Sequence, residues 1–147
     1  NNLAILDDPM ETVRLLAPWT VNVHLKDMGM EECETGFLLS EVPLGEGLLD
    51  MPGIVDTIRA ARPEVRLSLE MIVRDPLLVP CLTDRYWATF DDVNGRDLAR
   101  ALSRIRDGGT RASLPRITGL TAAERLALEH ECVERSIVYA RESLGLT

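Results

Sequence analysis

The feature that most constrains this chain is an alternation that occurs twice before residue 71: a capped, proline-primed helical stretch leads into a short segment of period two, whose polar side carries an ionisable residue near its end. Asp7-Asp8-Pro9 opens the first helix, because a carboxylate accepts the orphan amide hydrogens and proline has φ preset for the first helical position. That helix is expected over Pro9 to Leu16, stopping near Pro18. Thr20 to Asp27 follows as a strand, with Val21, Val23 and Leu25 on one side and Asn22, His24 and Lys26 on the other. Asp50 and Pro52 then start a second helix, whose stripe of Ile54, Val55 and Ile58 runs to about Ala61 before Pro63 closes it. Val65 to Glu70 repeats the strand pattern, with Val65, Leu67 and Leu69 facing away from Arg66, Ser68 and Glu70. Helix, strand, helix, strand with short turns is the pattern of βαβ units and a parallel sheet. A polar second face favours a barrel interior over an open, doubly wound sheet. Val21, Val23, Leu67 and Leu69 are then expected against covering helices, with His24 and Glu70 inward at one edge of a parallel pair.

The rest of the chain is less regular. Met28 to Leu49, with Gly36, Pro43, Gly45 and Gly47, reads as a long loop, and loops of that length tend to be functional. The Gly45-Glu46-Gly47 segment reads as a tight turn into the helix at Asp50, since no strand leads straight into it and it lacks the spacing of a phosphate cradle. Met71 to Phe90, with Pro76, Pro80 and the Tyr86-Trp87 pair, reads as an ordered excursion containing at most a short helix. Asn94 to Arg106 is amphipathic through Leu98, Leu102 and Ile105 and ends at Gly108-Gly109. Thr121 with Glu124 forms a capping box that opens a helix to about Leu144.

Composition narrows the function classes. With 46% hydrophobic and 27% charged residues, the chain has the make-up of a globular protein that buries a core. A net charge of -8 argues against nucleic acid or an anionic membrane as partner. No apolar stretch approaches the roughly 18 residues of a membrane span, and no secretory signal opens the chain, so a cytoplasmic location is expected. Cys33, Cys81 and Cys132 are odd in number and far apart, which predicts reduced thiols. Asn1-Asn2 in place of an initiator Met suggests a start inside a longer protein.

His24 and Glu70 occupy corresponding places near the carboxyl ends of the two strands, the edge where parallel α/β folds assemble active sites. A nitrogen and an oxygen donor there suit a divalent ion such as Mn²⁺, Co²⁺, Mg²⁺ or Zn²⁺. On spacing alone, a hydrogen-bonded histidine and a salt-bridged glutamate account for the pair better than a metal site does. Lys26 and Asp27 either orient His24 and touch substrate or form a solvated strand end. Arg74 either binds a carboxylate or phosphate through its planar fork or pairs with Asp75. His130 reads as a surface histidine, and Tyr86-Trp87 as packing residues or a wall for a sugar.

Four pieces in order, Val23-His24-Leu25-Lys26-Asp27, Val42-Pro43-Leu44-Gly45-Glu46-Gly47, Asp50-Met51-Pro52 and Leu67-Ser68-Leu69-Glu70, resemble the seventh and eighth βα units of the sugar phosphate isomerase/epimerase family of xylose-isomerase-like TIM barrels. The resemblance implies an α/β fold: the C-terminal portion of a TIM (β/α)8 barrel over residues 1–90, about its last two βα units, with a helical C-terminal extension over 91–147 packed on the barrel. It implies His24 and Glu70 as metal ligands, Glu70 also as the catalytic acid/base, and Lys26 and Arg74 as substrate-binding residues. The implied reaction is proton transfer through an enediolate on a small sugar or sugar acid. The family's other two ligands, a glutamate and an aspartate on earlier strands, have no counterpart, so little isomerase activity is expected of the isolated 147-residue chain. Decarboxylation or dehydration of a sugar acid by the same chemistry is the alternative enzyme. An apurinic endonuclease ranks lower, because the loop has no Asp-x-His pair and the charge is acidic. A non-catalytic barrel fragment is the alternative outside enzymes. Open strand edges in a half-built barrel would favour a homo-oligomer.

Overall fold

A computed structural model of the chain describes residues 7–90, 94–108 and 113–146. Helix α1 spans Pro9–Leu16, and its start is the expected one: the Asp8 carboxylate accepts from the amides of Met10 and Glu11, both at 3.0 Å. A 3₁₀ turn at Ala17–Trp19 absorbs Pro18 and delivers the chain to strand β1, Asn22–Leu25. Strands β2 (Asp27–Cys33) and β3 (Gly36–Val42) follow, then helix α2 (Met51–Ala61), where Asp50 accepts from the Gly53 amide at 3.1 Å. Strands β4 (Arg66–Leu69) and β5 (Leu77–Val79) precede a short helix α3 (Asp84–Trp87). Helices α4 (Gly95–Gly108) and α5 (Ala122–Leu144) complete the described chain, α5 opening on the Thr121–Glu124 capping box. None of the helices among the described residues is long and apolar enough to cross a membrane.

The strands make two separate sheets. β1 and β4 pair in parallel, Asn22 opposite Arg66 through Leu25 opposite Leu69, and the Glu70 amide extends the ladder to the Leu25 carbonyl at 2.9 Å. β2, β3 and β5 form an antiparallel sheet in that order, with Asp27 opposite Val42, Cys33 opposite Gly36 and Phe37 opposite Val79. Gly36 is required at the turn of this hairpin: its φ is +151°, and a Cβ would lie 2.2 Å from the Val79 carbonyl oxygen.

This architecture overturns the barrel expectation. A (β/α)8 barrel is built from parallel strands, each followed by a helix. Here the segment after β1, read from sequence as a long loop, folds back on itself as an antiparallel hairpin and recruits β5. Among the described residues the parallel pair has no third strand, and no portion of a TIM barrel is evident. The parity of the two strands holds only in part. Val23 and Leu67 pack with the apolar cluster of Ala17, Leu25, Leu44, Met51, Ile54, Val55, Ile58 and Leu144, which joins α1, β1, α2 and the end of α5. Val21, 78% exposed, lies before the strand begins, and Leu69 is also exposed, so neither is covered by a helix. A second cluster, Met28, Met30, Phe37, Leu39, Val79, Cys81, Ala101 and Ile105, seats α4 on the antiparallel sheet. All three cysteines are free thiols.

One carboxylate fixes the passage from β3 to α2. Asp27 is fully buried and accepts four backbone hydrogen bonds, from Met28 (2.8 Å), Gly45 (3.0 Å), Gly47 (3.0 Å) and Leu49 (3.2 Å). The glycine turn therefore does gather amides around an anion, and the anion is the chain's own. A Cβ on Gly47 would meet Asp27 Oδ1 at 2.2 Å, so the close approach depends on glycine there. Asp27→Ala would leave several buried amides without partners and should cost about 3 kcal/mol or more. Urea unfolding should show a markedly lower midpoint for that variant. A change below about 0.5 kcal/mol, the usual size of a surface substitution, would contradict the assigned role.

Candidate functional site

The parallel register places the site. His24 stands opposite Ser68, and Glu70 follows two residues later on the same face. His24 Nδ1 and Glu70 Oε2 are 2.8 Å apart, so the two residues singled out from sequence do meet at the carboxyl end of the pair. Lys26 Nζ donates to Glu70 Oε1 at 2.6 Å and to Glu41 Oε1 at 3.2 Å. Arg74 Nη2 donates to Glu41 Oε1 at 2.8 Å, and the Ile72 amide donates to Glu41 Oε2 at 2.9 Å. His24, Lys26, Glu70 and Arg74 thus form one hydrogen-bonded network through Glu41, which sequence reasoning did not single out. Its signal was a lone acid in the apolar run Phe37-Leu38-Leu39-Ser40-Glu41-Val42. With that run read as a loop, there was no face to assign it to.

Burial grades the network from inside to outside. The Glu41 side chain is 1% exposed, Lys26 16%, Glu70 33% and His24 58%. The Lys26 hydrogen bond, and then that of His24, hold the Glu70 carboxyl below its usual range. Glu70 is therefore ionised and can only accept, which puts the shared hydrogen on His24 Nδ1. Burial pulls the Lys26 ammonium's pKa down, but its hydrogen bonds to Glu70 and Glu41 more than offset this, and the net shift is upward. Lys26 is also the chain's only lysine. Beside Glu41 and Arg74 opens a cleft of about 510 Å³, walled by Met28, Leu39 and Leu77. That volume lies within the range of small-molecule sites.

Other expectations resolve differently. Arg74 is not paired with Asp75, whose carboxylate accepts from the amides of Ile117 (2.8 Å) and Thr118 (3.1 Å) and from the Thr118 hydroxyl (2.6 Å). Asp27 does not orient His24, because its oxygens are taken up by the turn amides. His130 is a surface residue, 3.2 Å from Glu134. Tyr86 and Trp87 pack edge to face at 4.8 Å against the core of the antiparallel sheet.

His24 and Glu70 supply one nitrogen and one carboxylate, but no group of three or more His, Cys, Asp or Glu converges anywhere among the described residues. The ammonium at 2.6 Å from Glu70 adds a fixed positive charge where a cation would sit. Divalent ions take four to six or more donors, so these residues do not constitute a metal site by themselves.

Over 72 residues, 48% of the chain, the sequence is 36% identical to 3-oxo-isoapionate decarboxylase of Pectobacterium atrosepticum. The match covers 26% of that protein, so the chain spans about a quarter of the length of this curated relative. No protein-family profile matches the chain, and no solved structure does.

Two outcomes follow from the geometry. Because the folded-state pKa of Glu70 is lowered, the unfolded chain takes up that proton first as pH falls, so the contribution is present above the ordinary glutamate value of 4.5 and lost below it. Asp8 and Asp75 behave alike, whereas Asp27, raised chiefly by burial against its four amides, contributes in the opposite sense. The stability gap between wild type and Glu70→Gln, read from urea midpoints, should close on acidification from about pH 7 to about pH 3; a constant gap would contradict the assigned contacts. In calorimetry, Mn²⁺ or Co²⁺ should bind the chain no tighter than about 1 mM. Micromolar binding abolished by His24→Ala would show that the donor set is larger than the one described.

Proposed function

We propose that this chain carries part of the active site of a decarboxylase acting on a 3-oxo sugar acid. The observation that carries the reading is the Lys26 ammonium, held between two carboxylates beside His24 at a strand's carboxyl end. The similarity to a decarboxylase whose name specifies a 3-oxo acid supports it.

In such a substrate the bond from C1 to C2 breaks, and its electron pair forms a double bond between C2 and C3. The C3 carbonyl oxygen takes the negative charge, CO₂ leaves, and a proton must then reach C2. A fixed cation aimed at the developing oxyanion lowers the barrier, most effectively where water is partly excluded. Lys26 suits that role, since its raised pKa keeps it an ammonium at neutral pH. The same shift argues against Lys26 as an amine nucleophile, which would need a lowered pKa. His24, with Nδ1 on Glu70 and a ring 58% exposed, is placed to pass to C2 a proton that its Nε2 first takes up from water. Arg74, more than half exposed and engaging Glu41 through one Nη, has further donors for a substrate carboxylate or hydroxyl.

Isomerisation or epimerisation of a sugar begins from a related enediolate, and the four-part resemblance in sequence keeps that outcome as the second reading. One assay separates them: CO₂ release from a 3-oxo sugar acid, followed together with solvent exchange of the substrate's C–H. The decarboxylase reading expects CO₂ release that falls by roughly 10²- to 10⁴-fold in Lys26→Met, within the range of one positioned electrostatic or proton-transferring group. Exchange without CO₂ transfers the assignment to an isomerase. Neither signal, from a folded protein that contains this chain together with the rest of the active site, refutes both.

A further inference from the structure

We infer that Glu41 is a positioning residue whose buried carboxylate sets the Lys26 ammonium onto Glu70. Glu41 touches neither His24 nor Glu70, yet it receives donors from two separate segments: Lys26 from the β1–β2 junction, and the Ile72 amide and Arg74 from the stretch after β4. It is 2% exposed, and a buried carboxylate persists only where its charge is paired and hydrogen-bonded. Its three donors meet that condition, and two of them are cations.

The consequence falls on Lys26. A lysine side chain has four carbons of freedom and a compact, strongly hydrated charge, so a single half-exposed partner such as Glu70 would hold it weakly. With Glu41 pulling from inside and Glu70 from outside, the ammonium is fixed by two carboxylates and only 16% exposed. Glu41 also ties the segment that follows Glu70, at Ile72 and Arg74, to the antiparallel sheet. One buried side chain thereby holds both cations, of which Arg74 lines the cleft. This role rests on the reading of Lys26 as the oxyanion-facing group, but its test uses no turnover, so the two can fail separately.

Because Lys26 is the only lysine, protein labelled uniformly with ¹⁵N and ¹³C has a single lysine side-chain ammonium resonance. Ammonium hydrogens are visible only when salt bridges slow their exchange with water. The full chain should show this resonance, with hydrogen-bond couplings from Nζ to the carboxyl carbons of both Glu41 and Glu70. In Glu41→Gln the coupling to Glu70 should be lost while the backbone amide spectrum of the two sheets persists. Arg74→Gln, which removes the other cation on Glu41, should leave both couplings in place. A folded Glu41→Gln protein that keeps the Lys26–Glu70 coupling would overturn the inference. Should that variant fail to fold, wild type decides: couplings to both carboxylates support the role, and a coupling to Glu70 alone, or no visible ammonium, overturns it.

Discussion

The chain changes sheets across a single residue, and the rest of the structure depends on how that crossing is held. β1 ends at Leu25 in the parallel pair, and β2 begins at Asp27 in the antiparallel sheet, so Lys26 is the whole of the joint. Its ammonium reaches Glu70 at the end of the parallel sheet and Glu41 within the antiparallel one. Its neighbour Asp27 points the other way and gathers the amides of the turn that leads to α2. Two adjacent side chains of opposite charge thus stitch both sheets and the helix entry together. The polar contacts sit inside the molecule, where leaving one partner unpaired is costly.

How much of this was legible in the sequence depends on whether the signal was local. α1, α2 and α5 carry caps that satisfy specific amides, and their limits were readable because the capping residue, the proline and the apolar stripe all lie within a few positions of one another. The two parallel strands were readable for the same reason, each being an alternating run closed by a turn. The hairpin was not. Asp27, Met28, Gly29 and Met30 are buried in succession, and most of Phe37 to Val42 is buried on both faces, so neither strand shows a period of two. Its turn, Glu34-Thr35, lacks the Asn-Gly or Asp-Gly pair that marks a hairpin. A strand buried on both sides reads as an apolar run without a face.

The same distinction explains the site. His24 and Glu70 were placed together by strand parity, a local property of each strand, and the parallel register needed only to align them. The barrel around them was a statement about closure, which no local pattern encodes. Metal ligation is likewise non-local, since it needs donors from several segments to converge. Glu41 escaped notice because its partners are 15, 31 and 33 residues away in sequence and none belongs to its own strand. A lone acid in an apolar run signals that some cation must come to meet it. That signal does not say which cation.

The division of labour between the two cations follows from their chemistry. Lysine carries a compact charge that can be shared by two carboxylate oxygens from different directions, whereas a guanidinium spreads its five donors in one plane. At the crowded joint between the sheets the compact group is the one that fits, and at the open rim of the cleft the fork keeps donors to spare. In a chain whose other permanent side-chain cations are all arginines, the single lysine stands where a point charge between Glu41 and Glu70 is needed. Lys26 and Arg74 set two positive charges against the two carboxylates of Glu41 and Glu70. An anionic substrate therefore gains little from net attraction. In the proposed reaction it would gain instead by competing with Glu70, the outer and more exposed of the two carboxylates, for the hydrogen bond of Lys26. Glu41, buried beneath, holds the ammonium from inside, so in the proposed decarboxylation the charge is in position before the oxyanion develops.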